Sequence, residues 1–215
     1  MFHQTQIVET SPQIEMLGDL HPLIEQLGSL DGLVTLAGAS GAVQIRHIST
    51  PADLRQFLRN YHAQVLQPCE LPAIQRAFAH ASRNELRELI AFDKEIGGEP
   101  VLKNFASASR RVGQCQLQRL RPLRDQRLVQ RYLGAVEKGE ATGWHTLVYG
   151  LTLAVYSVPL RQGLFGYARQ TTRGFIHSAA RTLKFSETDC LCVLEELTQD
   201  FPAAIEMLLA KTAVG

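Results

Sequence analysis

Thr142 to Asp189 reads TGWHTLVYGLTLAVYSVPLRQGLFGYARQTTRGFIHSAARTLKFSETD, and the period of its apolar residues decides the fold class. Leu147, Leu151, Ala154, Val155 and Val158, then Leu160, Leu164, Phe165 and Ala168, then Phe175, Ile176, Ala179, Ala180 and Leu183 recur at the i, i+3, i+4 spacing of buried helix. Pro159 suits the first turn of a helix and not its interior, so the spacing predicts two helices, over 143–157 and 159–183. Gly150, Ala154, Gly163, Gly166, Ala168, Gly174, Ser178, Ala179 and Ala180 leave one side of each almost flat. A neighbouring helix or a partner surface can approach closely there.

Upstream, the same period predicts a series of helices. Thr50-Pro51-Ala52-Asp53 is a helix start, with a capping hydroxyl, a proline that needs no donor and an acid at the positive end of the dipole. That helix runs to about Gln67. A second covers Leu71 to His80, and a third, capped by Ser82 or Asn84, ends at Gly97-Gly98. A longer one from Pro100 is stopped by Pro122, and another spans Pro122 to Lys138. Downstream, Thr188 to Leu197 and Phe201 to Lys211 read as amphipathic helix. Residues 12–28 form an amphipathic helix broken at Pro22, and Ser29 to Gly41 is a small, glycine-rich connector or short helix without the Gly spacing and Lys of a phosphate loop. Residues 1–11 are read as a flexible tail. No repeat and no linker marks a boundary, so the expectation is one all-α domain over 1–215, a single-domain helical bundle of about eight to ten helices.

Twenty-two basic and 21 acidic side chains leave a net charge of +1 on 215 residues. Non-specific attachment to nucleic acid or to an anionic membrane is therefore not expected as the main task. The N-terminal MFHQTQIVETSPQ lacks a signal-peptide pattern, and no run of apolar residues is long enough for a membrane span. A cytoplasmic location is expected, with Cys69, Cys115, Cys190 and Cys192 as reduced thiols.

His145-Thr146-Leu147-Val148-Tyr149-Gly150, then Ser178-Ala179-Ala180-Arg181-Thr182-Leu183, then Thr188-Asp189 occur in that order over nearly fifty residues. In order and spacing they resemble the C-terminal half of the urease accessory protein UreF family, with Leu147 where the family has proline. Gly38-Ala39-Ser40-Gly41-Ala42-Val43-Gln44 leading to Pro51-Ala52-Asp53-Leu54 extends the resemblance upstream, as do Ser109 and Gly113 on the central helix. The sequence departs from the family at Ala106, where an arginine is usual, and over Glu25 to Leu36, which lacks the family's proline-, glycine- and histidine-containing run.

Among residues that could carry chemistry, arginine dominates: Arg110, Arg111, Arg119, Arg121, Arg124, Arg127 and Arg131, with only Asp125 among them. Such a cluster can neutralise phosphates. Without interleaved aromatics it reads instead as a solvated or protein-binding face answered by Glu187, Asp189, Glu195, Glu196, Asp200 and Glu206. The histidines and cysteines have no paired-ligand spacing: Cys190 and Cys192 point about 200° apart on a helix, while His62, Cys69 and His80 lie on separate elements and His145 and His177 on apolar faces. No metal site and no cofactor is expected. There is no G-x-S-x-G, H-E-x-x-H or P-loop, so the chain is not expected to be an enzyme.

The resemblance implies a non-catalytic accessory protein that bridges two other urease maturation proteins, a GTPase and a scaffold subunit, and helps couple nucleotide hydrolysis to nickel insertion into apo-urease. Its partner-binding face would use Lys138, Gly139 and His145 together with Ser178 and Arg181, and the chain could form a homodimer. No nucleic-acid or membrane partner is implied. The alternative is a diverged helical interaction module that has kept the fold without the urease role, and an RNA-binding helical protein is a third reading.

Overall fold

The computed structural model describes residues 48, 50–98 and 106–213, and within them all side chains except those of 108, 178, 181, 182, 212 and 213. The expected tail, the helix at 12–28, the connector at 29–41 and the start of the helix from Pro100 lie outside the described residues. Every regular element described is helical: α1 (Pro51–Tyr61), a π-helical segment (His62–Glu70), α2 (Leu71–Ser82), α3 (Leu86–Ile96), α4 (Ala106–Arg119), α5 (Arg127–Glu137), α6 (His145–Val155), α7 (Leu160–Leu183), α8 (Glu187–Thr198) and α9 (Phe201–Ala213). The all-α expectation holds.

The opening stretch forms α6 and α7 and supplies the centre. Every residue from His145 to Leu153 is buried, as expected of a helix that is apolar on all sides. It lies against α2 and α4, while α7 packs on α1, α2, α8 and α9, and α3 joins α2 to α5. Gly150 lets α6 and α2 meet at backbone distance: a Cβ there would stand 2.5 Å from the Ile74 carbonyl oxygen and 2.9 Å from the Ala77 Cβ. Gly163 does the same for α7, where a Cβ would stand 2.4 Å from the Leu153 side chain. Ala154 and Ala179 are half-buried against the core.

Two boundaries differ from the sequence expectation. The helix begun at Pro51 does not stop near Gln67; it widens into the π-helical segment and continues into α2 without a break. Pro68 explains this, because its ring would collide with the Gln64 carbonyl and it has no N–H for the i−4 bond. A wider register moves that carbonyl away, and Leu71 donates to the Leu66 carbonyl five residues back. The helix expected from Pro122 begins only at Arg127. Consecutive turns fill the gap, Leu123 N–H to the Leu120 carbonyl, Arg124 N–H to Pro122 and Gln126 N–H to Leu123.

Ends elsewhere follow their local chemistry. Thr50 and Asp53 form a reciprocal capping box on α1. Ser186 and Asp189 form another on α8, which gives the Thr188-Asp189 motif a local role. Neither Ser82 nor Asn84 caps α3, which starts after Glu85 with no side-chain cap. Asn84 instead takes the left-handed conformation, at φ 58°, that ends the preceding turn.

Candidate functional site

His145, the first residue of α6, is only 4% exposed. Its Nδ1 lies 2.7 Å from Ser109 Oγ on α4, and its Nε2 2.8 Å from the Tyr167 hydroxyl on α7. Beyond Tyr167 stands Glu70, 1% exposed at the end of the π-helical segment. Its carboxylate accepts the Tyr61 hydroxyl at 2.6 Å and the Tyr167 hydroxyl, and one of its oxygens is 3.8 Å from His145 Nε2. With both tyrosines donating to Glu70, His145 Nε2–H donates to Tyr167, and Nδ1 is left to accept from Ser109. A single directed chain of hydrogen bonds thus joins α4, α6, α7 and the π-helical segment.

Burial pushes the hydroxyls of Tyr61 and Tyr167 well above the ordinary phenol range, and the neighbouring Glu70 charge adds to the shift in both. They stay protonated donors. Tyr149 is raised too, by burial, and ties α6 to α7 by donating to the Gly163 carbonyl at 3.1 Å. Such a network suits positioning: satisfied in a low-dielectric interior, it holds four elements in one arrangement.

A second buried carboxylate sets the loop that leads into α6. Asp93 on α3 is fully buried. It accepts the Tyr132 hydroxyl at 2.6 Å, the Thr142 N–H at 2.5 Å and the Gly143 N–H at 2.9 Å, while its own carbonyl accepts Trp144 Nε1–H at 3.1 Å. Gly143, at φ +77°, is in the region that glycine tolerates. Opposite it, Gly113 of α4 sits so close that a Cβ would meet the Gly143 carbonyl oxygen at 2.0 Å. Ser109 and Gly113 are one turn apart on α4, one bonding His145 and the other making room for its backbone.

The five residues expected at the partner face do not form one patch. Lys138 is the exposed C-cap of α5 and Gly139 the exposed left-handed residue after it, at φ +75°. His145 is interior. Ser178 and Arg181 lie on the last turns of α7, their side chains outside the description. They are 11 and 14 residues beyond Tyr167, about 16 and 21 Å along the helix at 1.5 Å per residue. Glu70, Asp93 and Tyr167 are missed by the sequence reading, and the period of α1 places Tyr61 only on its apolar face. One signal was present: Glu70 stands four residues from both Leu66 and Ile74, and Asp93 four from Leu89 and three from Ile96, so each acid occupies an otherwise apolar buried stripe.

Another histidine in the core is neutral. Thr172 donates its hydroxyl to the Ala168 carbonyl at 2.8 Å, so His62 Nε2, 2.8 Å away, must be the donor to Thr172. Burial lowers its pKa from 6.5 to about 4. The unfolded chain therefore binds the extra proton between those values, and stability present above pH 6.5 is lost as pH falls toward 4, by about 3 kcal/mol at 1.36 kcal/mol per unit. Melts at about pH 7.5 and about pH 5 should show a larger drop for the wild type than for His62→Gln, which keeps a donor but has no proton to gain. Equal drops would assign the acid sensitivity elsewhere.

Among the described residues no cluster of three or more His, Cys, Asp or Glu is placed to hold a metal ion, and no helix is long and apolar enough to cross a membrane. Among the described residues Cys69, Cys115, Cys190 and Cys192 form no disulfide.

The sequence model of the UreF family matches residues 48–198. The urease accessory protein UreF of Psychrobacter cryohalolentis is 26% identical over 175 residues, covering 81% of this chain and 73% of that protein. That of Sporosarcina pasteurii is 23% identical over 145 residues, 67% of this chain and 72% of the relative. The matched span contains the whole junction built on Glu70, Asp93, Ser109, Gly113 and His145, and on this match the chain belongs to the UreF family.

Proposed function

We propose that the chain is a non-catalytic urease accessory protein that bridges a GTPase and a scaffold subunit of the maturation machinery and helps couple nucleotide hydrolysis to nickel insertion into apo-urease. The observation that carries the reading is the family match over residues 48–198. The buried network supports it, since its tyrosines are held protonated and its groups are spent on positioning helices. Lys138 and Gly139 on the surface, with Ser178 and Arg181 at the end of α7, serve as contact residues. His145 acts behind them by holding α6 against α4 and α7.

Complementation tests this. The gene, with its cognate maturation proteins and urease, is placed in a host lacking its own UreF and supplied with nickel. Wild type should restore urease activity. Lys138→Ala and Arg181→Ala should reduce it without changing the melting temperature. His145→Ala should reduce both, because it strands the buried Ser109 hydroxyl at about 1–3 kcal/mol for an unsatisfied group and removes the donor to Tyr167. Absence of activation with all cognate partners present would favour a helical interaction module that retains the fold without the urease role.

A further inference from the structure

Of Arg119, Arg121, Arg124, Arg127 and Arg131 at the α4–α5 corner, only Arg121 has an ion-pair partner among the described residues. Three of the six C-terminal acids expected to face them are engaged elsewhere: Glu196 with Arg55 and Arg59, Glu206 with Arg161, and Asp189 with the Ser186 cap. Arg121 pairs with Glu137. Arg119, Arg124, Arg127 and Arg131 are exposed, and among the described residues no ion pair reaches them. Their placement is unfavourable for the isolated chain. Arg127 and Arg131 are like charges one turn apart, and Arg124 and Arg127 crowd the positive end of α5, whose N-cap, Gln126, makes no side-chain bond and where the one acid, the exposed Asp125, precedes the helix and forms no ion pair with either arginine. The corner is nevertheless rigid, because Gln130 Nε2 donates to both the Arg121 and Leu123 carbonyls at 3.0 Å.

We propose that this corner, presenting Arg119, Arg124, Arg127 and Arg131, is a docking surface for a carboxylate-rich protein surface. Guanidinium forks bind carboxylates in paired geometry, and a pre-ordered backbone reduces what must be immobilised on binding. A nucleic acid fits less well: the one aromatic between Ala106 and Glu140, Tyr132, is buried, so the corner offers no face for base stacking. A membrane fits less well too, since the exposed large apolar residues Tyr156, Leu191 and Met207 lie on other elements. That the acidic partner belongs to the urease maturation machinery rests on the accessory role proposed above; the surface itself does not.

The test uses the full chain and Arg124→Glu/Arg127→Glu/Arg131→Glu. Two probes are compared by fluorescence anisotropy: a labelled peptide of about twenty residues with glutamate at every second position, and a labelled DNA duplex of about twenty base pairs. Wild type should bind the peptide, more weakly at about 300 mM than at about 50 mM salt. The triple variant should lose about tenfold or more in affinity while melting at or above the wild-type temperature, because acids replace cations at the start of α5. The same loss is expected in assembly with purified cognate maturation proteins. Equal peptide binding by both proteins, or tighter binding of the duplex than of the peptide, would overturn the proposal. So would unchanged assembly by the variant. Failure of the wild type to assemble with any cognate protein would instead sink the accessory reading, leaving the peptide comparison to judge the surface.

Discussion

Replacing Gly113 by alanine is expected to destabilise the protein by about 2 kcal/mol net, with a fall in melting temperature of about 4–8 °C. The added methyl meets three backbone atoms, the Gly143 carbonyl oxygen at 2.0 Å, the His145 nitrogen at 2.7 Å and the Trp144 carbonyl carbon at 2.8 Å. None is the movable end of a side chain, so α4 must retreat from the loop entering α6. Overpacking of this kind costs about 3 kcal/mol, whereas removing a glycine from a helix interior returns about 1 kcal/mol. The steric cost wins. Gly134 provides the opposite case. It lies inside α5 with nothing within 4 Å of a built Cβ, so Gly134→Ala should stabilise by about 0.5–1 kcal/mol. Melts of the two variants should move in opposite directions, and movement in the same direction would falsify the close-approach account. Because the displaced segment includes His145, Gly113→Ala should also weaken urease activation in the complementation assay.

Asp93→Ala is expected to cost about 3–5 kcal/mol, the range for removing one side of a buried charged interaction. The substitution leaves the Tyr132 hydroxyl and the Gly143 N–H buried without their acceptor. It also frees the Thr142 N–H. Asp93→Asn keeps the shape but has one acceptor oxygen in place of two, so it should fall between alanine and wild type. The single tryptophan is a local reporter, since Trp144 is buried and bonded to the Asp93 carbonyl. Denaturant titration followed by its emission should show an earlier midpoint and a red-shifted native spectrum for the alanine variant. A midpoint equal to wild type would mean that the loop is held by other contacts.

The two predictions concern the same junction from its two sides. Gly113 sets how near α4 comes to the loop, and Asp93 sets the loop's conformation from α3. His145 inherits its position from both and transmits it to Tyr167 and Glu70. That gives His145, Ser109 and Gly113 a physical reason to act together although none of them lies on the surface.

Local patterns in the sequence determined the helical class, the division of α6 from α7 at Pro159, the starts at Thr50 and near Thr188, and the close approach at Gly150. Each depends on contacts within a few residues or on a period that any buried helix must show. The motifs from His145 to Asp189 also determined the family. Tertiary structure alone decided what the chemistry-bearing residues do. The family resemblance implies a partner-face role for His145, and periodicity puts it only on an apolar face of α6; neither says that α4 and α7 close over both ring nitrogens. The acids of the C-terminal helices looked like counter-ions for the arginine-rich stretch because composition counts charges without distances; in the fold Glu196 pairs with Arg55 and Arg59, and Glu206 with Arg161. The π-helical segment required the folded chain as well. Proline forbids the ordinary bond at its own position, but whether the helix breaks there or widens is settled by which continuation buries Val65, Leu66, Glu70 and Leu71 against the rest of the core.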